Sequence, residues 1–162
     1  TLKCEDKIQV IAKDFVNSKG VIFLGRGSSF PIALEGALKL KELSYVHAEG
    51  YPAGEMKHGP LALIEEGLPV IVLAPSDRYF VKTISNMQEV IARGAKVLLV
   101  TNTNNDVNSE NIRFILTVPK SDPFFSPFLL TIPLQLLAYH VAKLKGCDID
   151  KPRNLAKSVT VE

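Results

Sequence analysis

Three side chains able to move protons lie four and then three residues apart: Glu35, Lys39 and Glu42. At 3.6 residues per turn they share one face of a helix. The commonest use of such a row is a solvated ion pair, worth roughly a few tenths of a kcal/mol. Here Ile32, Leu34, Leu38, Leu40 and Leu43 leave little room for a fully wet face. A carboxylate partly withdrawn from water beside an ammonium is suited to proton transfer.

Just upstream, Gly25-Arg26-Gly27-Ser28-Ser29-Phe30 combines two glycines, two hydroxyls and the start of a helix. Glycines let backbone approach a ligand and a helix N-terminus favours an anion, so Ser28 and Ser29 are candidate ligands. A tight turn that binds nothing is the plain alternative. A dinucleotide turn fits less well, because Phe30 stands where GxGxxG requires its third glycine, although Glu49 lies near the distance of a ribose-binding acid.

Further along, Glu49, Glu55, Lys57 and His58 crowd a stretch broken by Gly54, Gly59 and Pro60. A single histidine is most often a satisfied polar residue, but one in such company can exchange protons near neutral pH. His47 and His140 are assigned to structure, and no HxxxH-type spacing points to a metal. In the tail, a lysine lowered in pKa by desolvation could form an imine with a carbonyl sugar, although a frayed end is the ordinary expectation.

The elements that must position these groups follow from periodicity. Helical spacing predicts helices over Leu2–Asn17, Ile32–Tyr45, Arg78–Ala92 and Phe124–Leu144, with Leu34, Ala37, Leu38 and Lys41 along one side of the second and a kink or restart at Pro133 in the last. Pro31 suits a first helical position. Short apolar runs predict buried strands at Val21–Leu24, Val70–Ala74, Lys96–Thr101 and Phe114–Val118, and the irregular 47–64 segment holds a further short strand or loop. Alternation of this kind implies an α/β domain, a parallel sheet between two helix layers, with ligands at the carboxyl ends of the strands. Residues 1–150 are expected to form the domain and 151–162 a C-terminal tail that closes over its active site.

Composition excludes several classes. The 162 residues fit one domain, and 46% hydrophobic with 22% charged residues is a globular balance. A net charge of +2 and the lack of a basic patch interleaved with aromatics argue against nucleic acid. Cys4 and Cys147 lie far apart, which suits a reducing, cytoplasmic setting. The apolar stretch Phe124–Leu144 carries Gln135, His140 and Lys143, and reads as a buried helix rather than a membrane span. The chain opens on Thr1 rather than Met and is read as a piece of a longer protein.

Gly25-Arg26-Gly27, the run Ala33–Glu42, His47-Ala48-Glu49, Gly54-Glu55, Lys57–Pro60, Pro133–His140 and Asp150–Glu162, in that order, closely resemble the glutamine–fructose-6-phosphate aminotransferase (glucosamine-6-phosphate synthase) family. The resemblance runs from about Val21 to Glu162. It implies the second of two sugar isomerase (SIS) subdomains, a flavodoxin-like three-layer α/β/α sandwich whose parallel sheet has five strands, the fifth being the short one near His47. It further implies that a glutaminase domain and a first SIS subdomain are missing from this chain.

Carried over by position, Glu42 resembles the base that shuttles a proton between C1 and C2, and Lys39 its electrostatic partner. Glu35 resembles a site residue handling protons near the tail, His58 the ring-opening acid/base serving a neighbouring subunit, and Lys157 the lysine that forms a Schiff base with the open sugar. The resemblance implies fructose 6-phosphate and glucosamine 6-phosphate as ligands, a homodimer, and neither cofactor nor metal. It also weakens Ser28 and Ser29, since the family's main phosphate contacts belong to the first subdomain. A non-catalytic SIS module that senses a phosphosugar is the alternative, which has no need of all five groups.

Overall fold

The computed structural model describes residues 2–103, 107 and 111–155. In chain order the elements are α1 (Glu5–Ala12), β1 (Gly20–Gly25), α2 (Ser29–Ser44), β2 (His47–Pro52), β3 (Pro69–Leu73), α3 (Phe80–Ile91), β4 (Lys96–Thr101), β5 (Phe114–Thr117) and α4 (Ser126–Leu144). Two 3-10 turns, Ala53–His58 and Pro60–Leu63, join β2 to β3. The strands form one parallel sheet in the order β2-β1-β3-β4-β5. That is the flavodoxin-like order, with its switch point between β1 and β3. The short strand near His47 is β2, at one edge.

The apolar runs become strands because both faces of the sheet are covered, so every position of β3 is buried. Alternate side chains build two cores. Phe23, Ile71, Leu73, Leu98 and Val100 pack under α1, α2 and α4. Ile22, Leu24, Val70, Val72 and Leu99 pack under α3 and the first 3-10 turn, which contributes Ala53 and Met56. Full burial of a side chain such as Phe23 stabilises by about 1.5–3 kcal/mol.

Several boundaries differ from the periodic reading. α1 stops at Ala12, where i to i−3 bonds from Lys13, Asp14 and Phe15 tighten the chain into turns, yet Phe15 remains buried. Pro31 lies two residues inside α2, still within the first turn, where no helical N–H is required of it. α4 begins only at Ser126, since the Asp122 carboxylate and carbonyl hold the preceding turn, leaving Phe124 and Phe125 exposed. The same helix continues unbroken through Pro133. By length and composition it could cross a membrane. Here it packs on α1 and α2, burying Leu130, Leu134, Leu137, Ala138, Val141 and Ala142.

The buried side of α2 is also not the predicted one. Ala33, Gly36, Ala37, Leu40 and Ser44 face inward, whereas Leu34 and Leu38 are 44% and 41% exposed. The reason is closeness. A Cβ on Gly36 would stand 2.7 Å from Leu134 Cδ1 and 2.9 Å from Phe23 Cε1, so only small residues admit the helix to that depth. Turning the small residues inward turns Leu34 and Leu38 out, on the same side as the charged row.

Candidate active site

On α2 the predicted row is present. Lys39 Nζ lies 2.5 Å from Glu42 Oε2, with the two side chains 31% and 28% exposed. Glu35 is half-buried one turn earlier. The hydrogen bond to Glu42 raises the Lys39 pKa above the ordinary 10.5; burial opposes this, and the charges of Glu42 and Glu35 reinforce it. Lys39 is therefore an ammonium paired with Glu42, with the charge of Glu35 acting on it from a turn away. The stabilisation from a raised lysine is complete below its unfolded pKa and lost as pH climbs through the folded one. Relative to Lys39→Met, the native chain is expected to hold an advantage of about a few tenths of a kcal/mol from neutral pH to 10.5 that fades above it. Urea midpoints of the two proteins against pH check this.

The helix ends on Tyr45, whose φ of 59° is left-handed, a conformation unusual for an aromatic residue. Its hydroxyl accepts a hydrogen bond from the Arg153 backbone N–H at 2.8 Å, and the Arg153 guanidinium stacks 4.1 Å from the ring centroid. The base of the tail is thus tied three residues beyond Glu42. Sequence reasoning missed this pair, since a C-terminal left-handed position advertises itself only when Gly or Asn fills it. Lys157 lies outside the described residues.

His58 is elsewhere. It ends the 3-10 turn Ala53–His58, its Nδ1 is 2.7 Å from Glu55 Oε2, and its side chain is 73% exposed. The turn packs in the core under α3, whereas α2 covers the opposite face. Within one chain the turn that carries His58 therefore packs on the face of the sheet opposite α2. Glu49 belongs to another cluster, bonded by the Tyr51 hydroxyl, with His47 Nε2 at 3.3 Å. Their i, i+2, i+4 spacing places the three on one side of β2, a signal that strand alternation carries. The bond to Glu49 pushes the Tyr51 pKa up, with burial adding to it.

The glycine turn is closed rather than open. Gly27, at φ 57°, lies under the Tyr79 ring, and a Cβ there would stand 2.4 Å from Tyr79 Cε2. Arg26 turns away to donate to Asn86 Oδ1 at 3.2 Å. Ser28 is exposed, whereas Ser29 is buried and its hydroxyl has no partner among the described residues. The two serines are therefore not convergent on an open cradle. A cavity of about 190 Å³ lined by Gln9, Lys13, His140, Lys143 and Leu144 contains none of the predicted site residues. Among the described residues no group of three His, Cys, Asp or Glu side chains is placed to hold a metal ion.

Residues 14–145 match the SIS domain family. The chain belongs to the SIS family. Within it, the chain is 57% identical over 162 residues to the glutamine–fructose-6-phosphate aminotransferase [isomerizing] of Bartonella quintana (strain Toulouse), covering 99% of this chain and 27% of that protein. The enzyme of the same name from Brucella melitensis biotype 1 is 57% identical over 163 residues, again with 99% and 27% covered. Among solved structures, the C-terminal domain of glucosamine-fructose-6-phosphate aminotransferase from Francisella tularensis superposes with a TM-score of 0.89 at 49% identity, over 93% of this chain and 42% of that one. This SIS domain therefore spans about a quarter of the length of the curated relatives it matches.

Proposed function

We propose that this SIS domain is the isomerase-lobe part of an enzyme that makes glucosamine 6-phosphate and glutamate from fructose 6-phosphate and glutamine. The observation that carries the reading is the half-buried Lys39–Glu42 pair on α2, with Glu35 one turn away. Once nitrogen is on C2 of the open sugar, isomerisation needs one proton removed from C1 and one delivered to C2, with no net change in protons or electrons. Glu42 takes the first and returns it. Its Oε2 is held by Lys39, which leaves Oε1 to face the sugar. Lys39 stays charged and stabilises the enolamine-like intermediate electrostatically. Glu35 sits where it can exchange protons with the groups brought by the tail.

Lys157 condenses with the open-chain ketose at C2, releasing water as the C=N bond forms. Ammonia then adds at C2 and displaces the lysine, whose amine is freed as the new C=N bond forms. The Tyr45–Arg153 contact supports this reading, because it ties the described part of the tail beside the end of α2. His58 opens the sugar ring, and it does so in the site of a second subunit. The packing of its turn on the face of the sheet opposite α2 supports that reading, and with it a homodimer. The phosphate is held mainly by a first SIS subdomain, with Ser28 and Ser29 at most minor ligands, and ammonia comes from a glutaminase domain. The setting is cytoplasmic, and no cofactor is called for by this proton bookkeeping.

Borohydride reduction of the whole parent enzyme with fructose 6-phosphate is expected to trap a secondary amine on Lys157, located by peptide mass spectrometry. A Lys157→Met variant is expected to trap none. An adduct that persists in Lys157→Met, or maps to another lysine, sinks the assignment.

A further inference from the structure

His58 is the residue whose aim the fold leaves least explained. It is 73% exposed, its recorded partner Glu55 belongs to the same turn, and Gly59 follows at φ 140°. Its position is therefore decided by whatever holds the turn Ala53–His58.

Two contacts from outside the turn hold it among the described residues, one a close packing contact of Arg26, which is itself bonded to α3, and the other an ion pair with α3. At its start, the Arg26 guanidinium lies against Gly54, where a Cβ would stand 2.9 Å from Nη1, and the same nitrogen donates to Asn86 Oδ1 at 3.2 Å. At its end, Lys57 Nζ is 3.0 Å from Glu89 Oε1. Asn86 and Glu89 are three residues apart, hence neighbours on one side of the helix. Between the two contacts Ala53 and Met56 are buried at 0% and 1% exposure. Glu89 is itself only 22% exposed, and its Oε2 is buried without a hydrogen-bond partner among the described residues.

We propose that Arg26, Asn86 and Glu89 are positioning residues for His58, clamping its turn onto α3 so that the imidazole meets the sugar ring of the neighbouring site. This rests on the ring-opening reading above. Magnitudes favour a positioning role over a stabilising one. With Lys57 62% exposed, its pair with Glu89 adds little to stability. A displacement of about 1 Å in a proton-transfer group, by contrast, can cost on the order of 100-fold in rate.

The test uses the whole parent enzyme and two substrates, fructose 6-phosphate and 5-deoxyfructose 6-phosphate. The second lacks the C5 hydroxyl that closes the furanose ring, so it bypasses ring opening. Asn86→Ala and Glu89→Ala are expected to lower kcat on fructose 6-phosphate about 10- to 100-fold, with KM within about twofold and the open-chain rate unchanged. Asn86→Asp, which keeps an acceptor for Arg26, is expected to retain the native rate. Equal losses on both substrates overturn the proposal, as does native ring-opening activity in the variants. His58→Gln tells the two failures apart. An open-chain preference there, absent from the α3 variants, overturns the clamp alone; no preference in His58→Gln overturns the ring-opening reading and the clamp with it.

Discussion

Glu42→Gln, introduced into the whole parent enzyme, lowers sugar-phosphate isomerisation by about 10²- to 10⁴-fold while ammonia release from glutamine continues. The substitution is nearly isosteric. Its amide oxygen can still accept the hydrogen bond that Lys39 Nζ now gives Oε2 at 2.5 Å, so α2 keeps its local geometry. What disappears is the basic oxygen, and an amide cannot take a proton from C1. Lys39 then remains an ammonium with only Glu35 to balance it, which holds the substrate but cannot complete the transfer. Separate assays of isomerisation and of glutamine hydrolysis check both halves. Unchanged isomerisation refutes the role of Glu42. Parallel loss of both activities would mean that the substitution damages the assembly rather than one step.

Gly25→Ala is expected to destabilise the chain by about 3 kcal/mol, clearly more than Gly36→Ala. The two glycines differ in both the closeness and the kind of their contacts. A Cβ at position 25 would stand 2.2 Å from the Ser29 carbonyl oxygen and 2.8 Å from the Phe30 nitrogen, both backbone atoms in the first turn of α2. No rotamer relieves that contact; the helix must move off β1. A Cβ at position 36 meets the ends of Leu134 and Phe23, which can turn aside, and alanine regains about 1 kcal/mol of helix propensity. Urea unfolding of the two variants beside the native chain measures the difference. A Gly25→Ala midpoint equal to or above that of Gly36→Ala sinks the prediction.

The same contrast explains which parts of the fold were readable in advance. β1 and β3 are wholly apolar runs, and β4 is apolar between Lys96 and Thr101; a run of that kind has few places to go except between two helix layers. β2 was the uncertain one. His47-Ala48-Glu49-Gly50-Tyr51-Pro52 carries polar groups because an edge strand needs only one paired side. The inward face of α2 was misread for a related reason. Hydrophobicity ranks Leu34 and Leu38 above Ala33 and Gly36, but the closeness of Phe23 and Leu134 makes volume the deciding property. The spacing of Ala33, Gly36, Ala37, Leu40 and Ser44 held that information in the form of small residues.

Sequence alone determined the class of fold and the helix face carrying Glu35, Lys39 and Glu42, because periodicity is a local property that nearest neighbours enforce. Their meaning came from resemblance, since spacing by itself describes a surface ion pair equally well. Only the tertiary structure decided that α2 and the turn bearing His58 cover opposite faces of the sheet, that Tyr79 fills the glycine turn, and that Tyr45 ties the base of the tail beside α2. Each of these joins residues far apart in the chain, through contacts set by strand order and packing depth, and no window along the sequence contains both partners.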